Sequence, residues 1–458
     1  MRKWLLIFLG TSLLHAQEPQ PDSDVLTFEE YINIVRTNHP LVRSAGLVVG
    51  MAEAGITEAR GGFDPKLEAA TEEKKFGNST YYQHREGVFR IPTWYGIELQ
   101  AGFENNDGFL LNPELRVPDD GLAAVGIKVP IGQGLFINQR MADLRSAKIN
   151  LSLSRADQQL RAAEALHQAA AAYFNWKRQY EEAELYKNFY EVAKIRRDGI
   201  VTLIKLGDNP AIDSVEAGIT EKARLLSYEE AQLKLIKARL ELSNFLWADN
   251  VPIELTENAV PEQNVASRVA PVLKTEILDF AVDTHPKITM MQAKADILEV
   301  ERQLKANSLL PKMDLGYSYL SERWQWNGDP QQNYKVTASF GFPIFLRKER
   351  GALRLTKLKL QDARIGIEFE KLQLTNKVDA VRNEISSLTR QRRIASEVVN
   401  DNTQMVQAEE RLFNLGESSL FLINTRESTL ISARLSEIVI ENRFLMAHAE
   451  LFRVLAGN

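Results

Sequence analysis

At 458 residues and 44% hydrophobic content, the chain is long enough for two or three ordinary domains, so its length excludes little. A formal net charge of -5, with both signs interspersed and no concentrated basic patch, argues against a nucleic-acid partner. The lack of cysteine excludes disulfide frameworks, thiolate metal sites, cysteine nucleophiles and lipid attachment through an N-terminal cysteine.

Arg2 and Lys3 precede an apolar run from Trp4 to Leu14, and Ala16 leads into a polar, proline-containing stretch. This order predicts a secretory signal over residues 1–16, whose apolar part is too short to span a bilayer. No later window of about 20 residues is uniformly apolar, so entry into a membrane would have to use strands.

The remainder of the chain reads as an internal duplication, with a first repeat over 17–270 and a second over 271–458. Asn38-His39-Pro40 matches Thr284-His285-Pro286, and the same offset sets Glu53 on Glu299 and Pro65-Lys66 on Pro311-Lys312. Val129-Pro130-Ile131 corresponds to Phe342-Pro343-Ile344, and Leu206-Gly207 to Leu415-Gly416, at smaller offsets. The first repeat therefore carries an insertion between its strands. His39 and His285 sit beside helix-starting prolines at equivalent positions, which favours capping over metal ligation or pH sensing.

In the first repeat a strand pair is expected near 66–130, with the insertion as a loop. Pro65 to Phe76 is a weak strand, and Ala123, Val125, Ile127, Val129 and Ile131 form the clearest one. Ile97, Leu99, Ala101 and Phe103 alternate as well and are a further candidate. Ile131 to Asn209 contains no proline, as a long helix requires. Within it Ile149, Leu153, Ala156, Leu160, Ala163, Leu166, Ala170 and Tyr173 recur at the coiled-coil period. One helix from Ile137 to Lys205 would reach on the order of 100 Å. The alanine-rich seam, flanked by glutamine, arginine and glutamate, suits a bundle or a tube wall with a wet face opposite.

In the second repeat the strand pair lies over 311–343. Met313, Leu315, Tyr317 and Tyr319 alternate with polar or small residues, as do Tyr334, Val336, Ala338, Phe340 and Phe342. Their loop holds Trp324 and Trp326 and ends in the turn sequence Asn327-Gly328-Asp329-Pro330. Tyr317, Tyr319, Trp324 and Trp326 either anchor a membrane interface or fill the face of the hairpin. Leu374, Val378, Val381, Ile385 and Leu388 repeat the helical seam in a segment that is proline-free from Ile344 to the end. Strands of about ten residues with one apolar face can cross an outer membrane when tilted. Four strands cannot close a barrel, which needs at least about eight, so several copies would have to combine.

The signal, the opening "LTFEEYINIVRTNHPLV", the second copy beginning "ILDFAVDTHPKI" and the repeated Leu-Gly turns resemble the TolC-like outer membrane efflux family over nearly the whole mature chain. The resemblance implies a mainly α fold with a β-hairpin pair. Long coiled-coil helices would build an α-barrel, and four strands per protomer of a homotrimer would make a 12-stranded β-barrel. Residues 248–272 would be the equatorial segment, and the duplication would give pseudo-sixfold symmetry from three chains. The expected protein is a passive conduit in the outer membrane, reaching into the periplasm, of a tripartite efflux or type I secretion system. It would sit among outer membrane lipids and be opened by a periplasmic adaptor and an inner-membrane pump.

By the same resemblance the paired-helix turns at Leu206, Gly207, Leu415 and Gly416 face the inner membrane and dock the adaptor. Asp213 and Glu216 fall where gate-facing carboxylates are placed, while Leu422 and Thr425 take the matching positions of the second turn. On spacing alone, Asp213 and Glu216 share one helix face and either ring a pore or serve as solvated acids favoured by the helix dipole. Leu-Gly is in any case a helix stop.

No convincing phosphate loop, zinc-type His-Glu helix, serine nucleophile elbow or catalytic cluster of paired acids is found, so neither enzyme activity nor a cofactor is expected. The alternative is a periplasmic adaptor, also exported and carrying a long helical hairpin. It explains neither the duplication nor two separated strand pairs. Eight methionines without clustering make no case for copper or silver cargo, which the partner pump would set.

Overall fold

The structure, a computed structural model, describes residues 25–207, 210–275, 280–322, 324–326 and 328–456. The expected signal over 1–16 and Asn327 of the expected turn lie outside the described residues. In chain order the elements are β1 (Val25–Leu26), α1 (Phe28–Asn38), α2 (Pro40–Gly61), β2 (Lys66–Phe76), β3 (Ser79–Pro92), β4 (Glu98–Asp107) and β5 (Leu122–Pro130). Then come α3 (Gln139–Leu206), α4 (Ile212–Ser243), β6 (Trp247–Ala248), β7 (Val251–Pro252), β8 (Val260–Pro261) and α5 (Val265–Val272). The last are α6 (Pro286–Asn307), β9 (Lys312–Glu322), β10 (Tyr334–Gly341), α7 (Arg347–Asn414) and α8 (Leu420–Val454). Among the described residues no helix is long and apolar enough to cross a membrane.

The chain groups into two units, each drawing on both halves of the sequence. The first unit holds α1, the later part of α3, α4, the short strands, α5, the later part of α7 and most of α8. Its core is aromatic: Phe28, Tyr31, Tyr173, Phe174 and Trp176 are all buried, and the Phe28 and Phe174 rings lie 4.9 Å apart. Burying a tyrosine requires a partner for its hydroxyl. Tyr31 donates to Ala169 O at 3.1 Å and Tyr173 to Leu26 O at 2.7 Å, tying α1 and β1 to α3. Burial pushes both hydroxyls far above the usual tyrosine range. Thr27 and Glu30 form a reciprocal capping box that starts α1.

The second unit holds α2, the earlier parts of α3 and α7, α6, the chain end and a six-stranded antiparallel sheet ordered β10-β9-β5-β4-β3-β2. Ile288, Ala295, Leu360 and Ile367 pack α6 on α7, and Val378, Val381, Leu451 and Val454 pack α7 on the chain end. His285 caps α6 as the sequence suggests: its Nδ1 accepts from Lys287 N at 3.1 Å and Nε2 donates to Val454 O at 2.9 Å. His39 instead lies between α1 and α2, donating its own N–H to Val35 O and stacking on Phe245 at 5.2 Å in the first unit.

The predicted seams hold. Ala156, Ala163, Leu166, Ala170 and Tyr173 of α3 are buried, as are Leu374, Val378, Val381 and Leu388 of α7. The sheet corrects one expectation. The sequence pointed to four strands with a loop inserted in the first repeat; that insertion is in fact β3 and β4, and the chain contributes six strands. The hairpin from β2 to β3 turns on Gly77 (φ 58°) and Asn78 (φ 61°), the two left-handed residues of a turn whose twist suits antiparallel strands. β3 escaped notice because only its Gly87, Phe89 and Ile91 end is apolar, while His84, Arg85 and Glu86 interrupt the pattern.

Candidate functional site

Two features of the fold carry functional signals: the sheet and the paired helical turns. Following the register across the sheet, one face collects Leu67, Ala69, Phe89, Ile91, Leu99, Ala101, Val125, Ile127, Leu315, Tyr317, Val336 and Phe340. Strand alternation puts Lys66, Glu68, Glu86, Arg90, Gln100, Lys128, Asp314, Ser318 and Lys335 on the other. The polar face holds its own ion pairs, Arg90 with Glu68 and Lys128 with Asp314. On the apolar face Val125, Ile127, Leu315 and Tyr317 are each more than 40% exposed even though they lie in central strands. Farther from the helices this face turns polar in β2, β3 and β4 at Thr71, Glu73, Arg85 and Asn105, so the apolar part is a band; such a band left open opposite a polar face is the pattern of a barrel wall between lipid and water.

The four aromatic residues singled out from the sequence gather at the loop end of β9 and β10. Tyr319 donates to Gly328 O at 2.7 Å and packs on Trp326 at 5.4 Å; Tyr317 donates to Pro330 O at 3.0 Å and stacks on Tyr334. Trp324 stacks on Phe103, which extends the cluster across to β4. At the opposite, helix-proximal end of the sheet stand the exposed Tyr95, Phe136, Phe342 and Phe345. Of this second row the sequence pointed only to Phe342, as the end of the β10 alternation, and less clearly to Tyr95; Phe136 and Phe345 lie in short connections that show no periodicity.

At the turns, α3 ends on Leu206 and α7 on Asn414, each followed by a glycine in the left-handed region: Gly207 at φ 87° and Gly416 at φ 78°. Gly416 N donates to Phe413 O and Glu417 N to Leu412 O, the paired bonds of a Schellman stop. Asp208 and Asn209 of the first turn lie outside the described residues. Ile200, Ala217 and Leu420, with Ile204 and Phe413 against them, form an apolar cluster beneath the turns and bring the two together in the first unit. Leu206 and Leu415 remain exposed at the tips, joined by Ile212 and Phe421, which the sequence did not single out.

Asp213 and Glu216 lie in the first turns of α4 and are half-buried. Asn424 Nδ2 donates to Glu216 Oε1 at 3.3 Å, so that carboxylate already binds α8. Leu422 is exposed beside it, and the Thr425 hydroxyl donates to Phe421 O at 2.8 Å. One turn further from the tips, Arg196 donates to Glu427, whose side chain is 2% exposed, with Glu410 at 3.7 Å. Burial lowers the Arg224 guanidinium, while the nearby Glu427 carboxylate opposes that shift. Sequence reasoning missed this buried pair, because single charges at helical spacing look like a solvated face. Among the described residues no group of three His, Asp or Glu side chains could hold a metal ion.

The outer membrane efflux protein family model matches residues 278–457. No curated protein sequence matches the chain. Among solved structures, the CmeC outer membrane channel of Campylobacter jejuni is 13% identical with a TM-score of 0.66, covering 93% of this chain and 85% of its own. The outer membrane protein VceC of Vibrio cholerae is 13% identical with a TM-score of 0.65, covering 93% and 95%. The open MtrE outer membrane channel of Neisseria gonorrhoeae is 14% identical with a TM-score of 0.63, covering 93% and 88%. Residues 278–457 thus belong to the outer membrane efflux protein family, and the chain as a whole has the fold of the solved outer membrane channels.

Proposed function

We propose that this protein is the outer membrane channel of a tripartite efflux system, working with an adaptor and an inner-membrane pump. It is a passive conduit and not an enzyme. The observation that carries this reading is the sheet: one face carries an apolar band across all six strands, aromatic residues stand at both of its ends, and the opposite face is polar. No periplasmic adaptor would need such a face, and the family match leaves that alternative without support.

We further propose a homotrimer. Supporting it, Ile212, Ile219, Leu226, Leu233 and Leu240 recur every seventh residue along α4 and are all exposed, as are Val398, Met405 and Leu412 along α7. Apolar heptad stripes left open in one chain are the seams along which copies of a helical tube would meet. In that assembly Leu206, Gly207, Leu415 and Gly416 present the turns to the adaptor. Asp213 and Glu216 constrict the closed mouth, and Tyr317, Tyr319, Trp324 and Trp326 anchor the outer interface. The matched helices α2 and α6, 22 residues each, and α3 and α7, 68 residues each, support the duplication read from the sequence.

The test is membrane fractionation followed by the native mass of the detergent-extracted particle. Recovery in the outer membrane at three times the chain mass is expected, and a soluble periplasmic monomer would reject the reading.

A further inference from the structure

The ends of the six-stranded sheet are β2 and β10, each exposed along its whole length. An open sheet edge is not tolerated in the hydrocarbon of a membrane, where every unpaired N–H and C=O must be satisfied. Six strands fall short of the smallest closed barrels, of about eight. The two edges differ, and with every copy oriented alike in the membrane they meet head to tail, β10 of one against β2 of the next, an arrangement that can close into a ring. Along the sheet the strands alternate in direction, and with six strands β2 and β10 run oppositely, as an antiparallel seam requires.

The register fixes how that seam fits. Lys66, Arg90, Gln100, Gly126, Ser318 and Lys335 oppose one another in succession across the sheet. On this row Lys66 begins β2 at its helix-proximal end, whereas Lys335 stands near the opposite end of β10, six residues before Gly341. Bringing the helix-proximal ends of a neighbour's β2 and of β10 level, Lys66 against Gly341, therefore needs a shift of six residues over six strands. That is about 20 Å along the strands against about 29 Å across them, a tilt of about 35°, at the edge of the range in which barrels close. The same pairing keeps the faces continuous. Phe340 meets Leu67 of the neighbour and Ala338 meets Ala69 on the apolar side, and Lys335 meets Glu72 on the polar side. Sliding by two residues sets Lys335 against Lys74 in one direction and moves Phe340 past the start of β2 to Pro65 in the other.

We propose that neighbouring copies are joined through β10 and β2 in this register, so that the barrel of the assembled channel holds eighteen strands, six from each chain, rather than twelve. This deepens the trimeric channel reading and rests on it. The diameter of a barrel grows roughly linearly with strand number, so this one is about half again as wide as a twelve-stranded barrel.

The native sequence contains no cysteine, so disulfide trapping in the intact outer membrane reports only on introduced pairs. Two adjacent pairs, Ala69→Cys with Ala338→Cys and Ala70→Cys with Thr337→Cys, sample both kinds of opposed site in an antiparallel ladder. Each double variant is expected to give covalent dimers and trimers on denaturing gels under oxidation, at least tenfold above Thr71→Cys with Ala338→Cys. The twelve-stranded alternative, in which β2 and β3 stand aside and β10 meets the neighbour's β4, is probed by Leu99→Cys or Ala101→Cys with Ala338→Cys. Cross-linking of β10 to β4, or none at β2 in particles whose native mass is that of a trimer, would overturn the proposal. A monomeric mass would instead reject the trimer on which it rests.

Discussion

Removing the Glu427 carboxylate should destabilise the helical unit beneath the turns far more than loss of an ordinary surface charge. In the native unit Arg196 donates to Glu427, whose side chain is 2% exposed against 13% for Arg196, and Arg224 also feels that carboxylate. Glu427→Ala leaves the largely buried Arg196 guanidinium with the partly exposed Glu410, 3.7 Å away, and removes a charge that the half-buried Arg224 also feels. Breaking a buried pair from one side costs about 3–5 kcal/mol, and Glu410 places the expected loss near the lower end, about 3 kcal/mol. For a helical unit of this size that is a fall of roughly 6–12 °C in melting temperature by circular dichroism at 222 nm. The double replacement Arg196→Met with Glu427→Leu should recover most of it, because an apolar pair needs no desolvation of charge. A Glu427→Ala loss below about 1 kcal/mol, the worth of a surface pair, would refute this reasoning.

The same geometry sets other outcomes. Valine at Gly207 or Gly416 must adopt a left-handed conformation costing about 1–2 kcal/mol, and should impair export while trimers persist on native gels; normal export by both variants would reject a docking role. Burial holds the His448 imidazole down at about 4, with Arg392 adding to the shift, so the folded state disfavours its proton. Stability should therefore fall as pH drops from about 6.5 to about 4, by up to about 3 kcal/mol from this residue, and level off below; His448→Gln should flatten that branch of a denaturation profile against pH. Leu226→Glu with Leu233→Glu places charge on the exposed α4 stripe and should shift the extracted particle from trimer to monomer by mass, and a trimer of unchanged stability would exclude that seam.

The elements legible in the sequence were those whose pattern is local. Proline-free stretches with buried residues at steps of three and four marked α3 and α7, and clean alternation between Pro311 and Pro343 marked β9 and β10. β3 was lost because its alternation is apolar over one half only. In the sheet its Phe89 and Ile91 extend the lipid-type face, while His84 and Asn106 bond each other farther along the strand. The overlooked β3, together with β4, which Ile97, Leu99, Ala101 and Phe103 had marked only as a candidate, then changed the count per chain and with it the expected barrel. At the turns, glycine after leucine showed where each helix stops, and the three-residue spacing of Asp213 and Glu216 showed their common face. That Glu216 is held by Asn424, and that Glu427 and Arg196 pair in the interior, depends on which helices pack together, which spacing along one helix does not encode.

The claim that the sheet is the wall of a water-filled passage is tested most directly by single-channel recording. Purified trimers added to a planar lipid bilayer should give discrete conductance steps, enlarged when variants such as Asp213→Asn with Glu216→Gln relax the mouth. Trimers that insert stably yet pass no current, in the native form and in those variants alike, would contradict it.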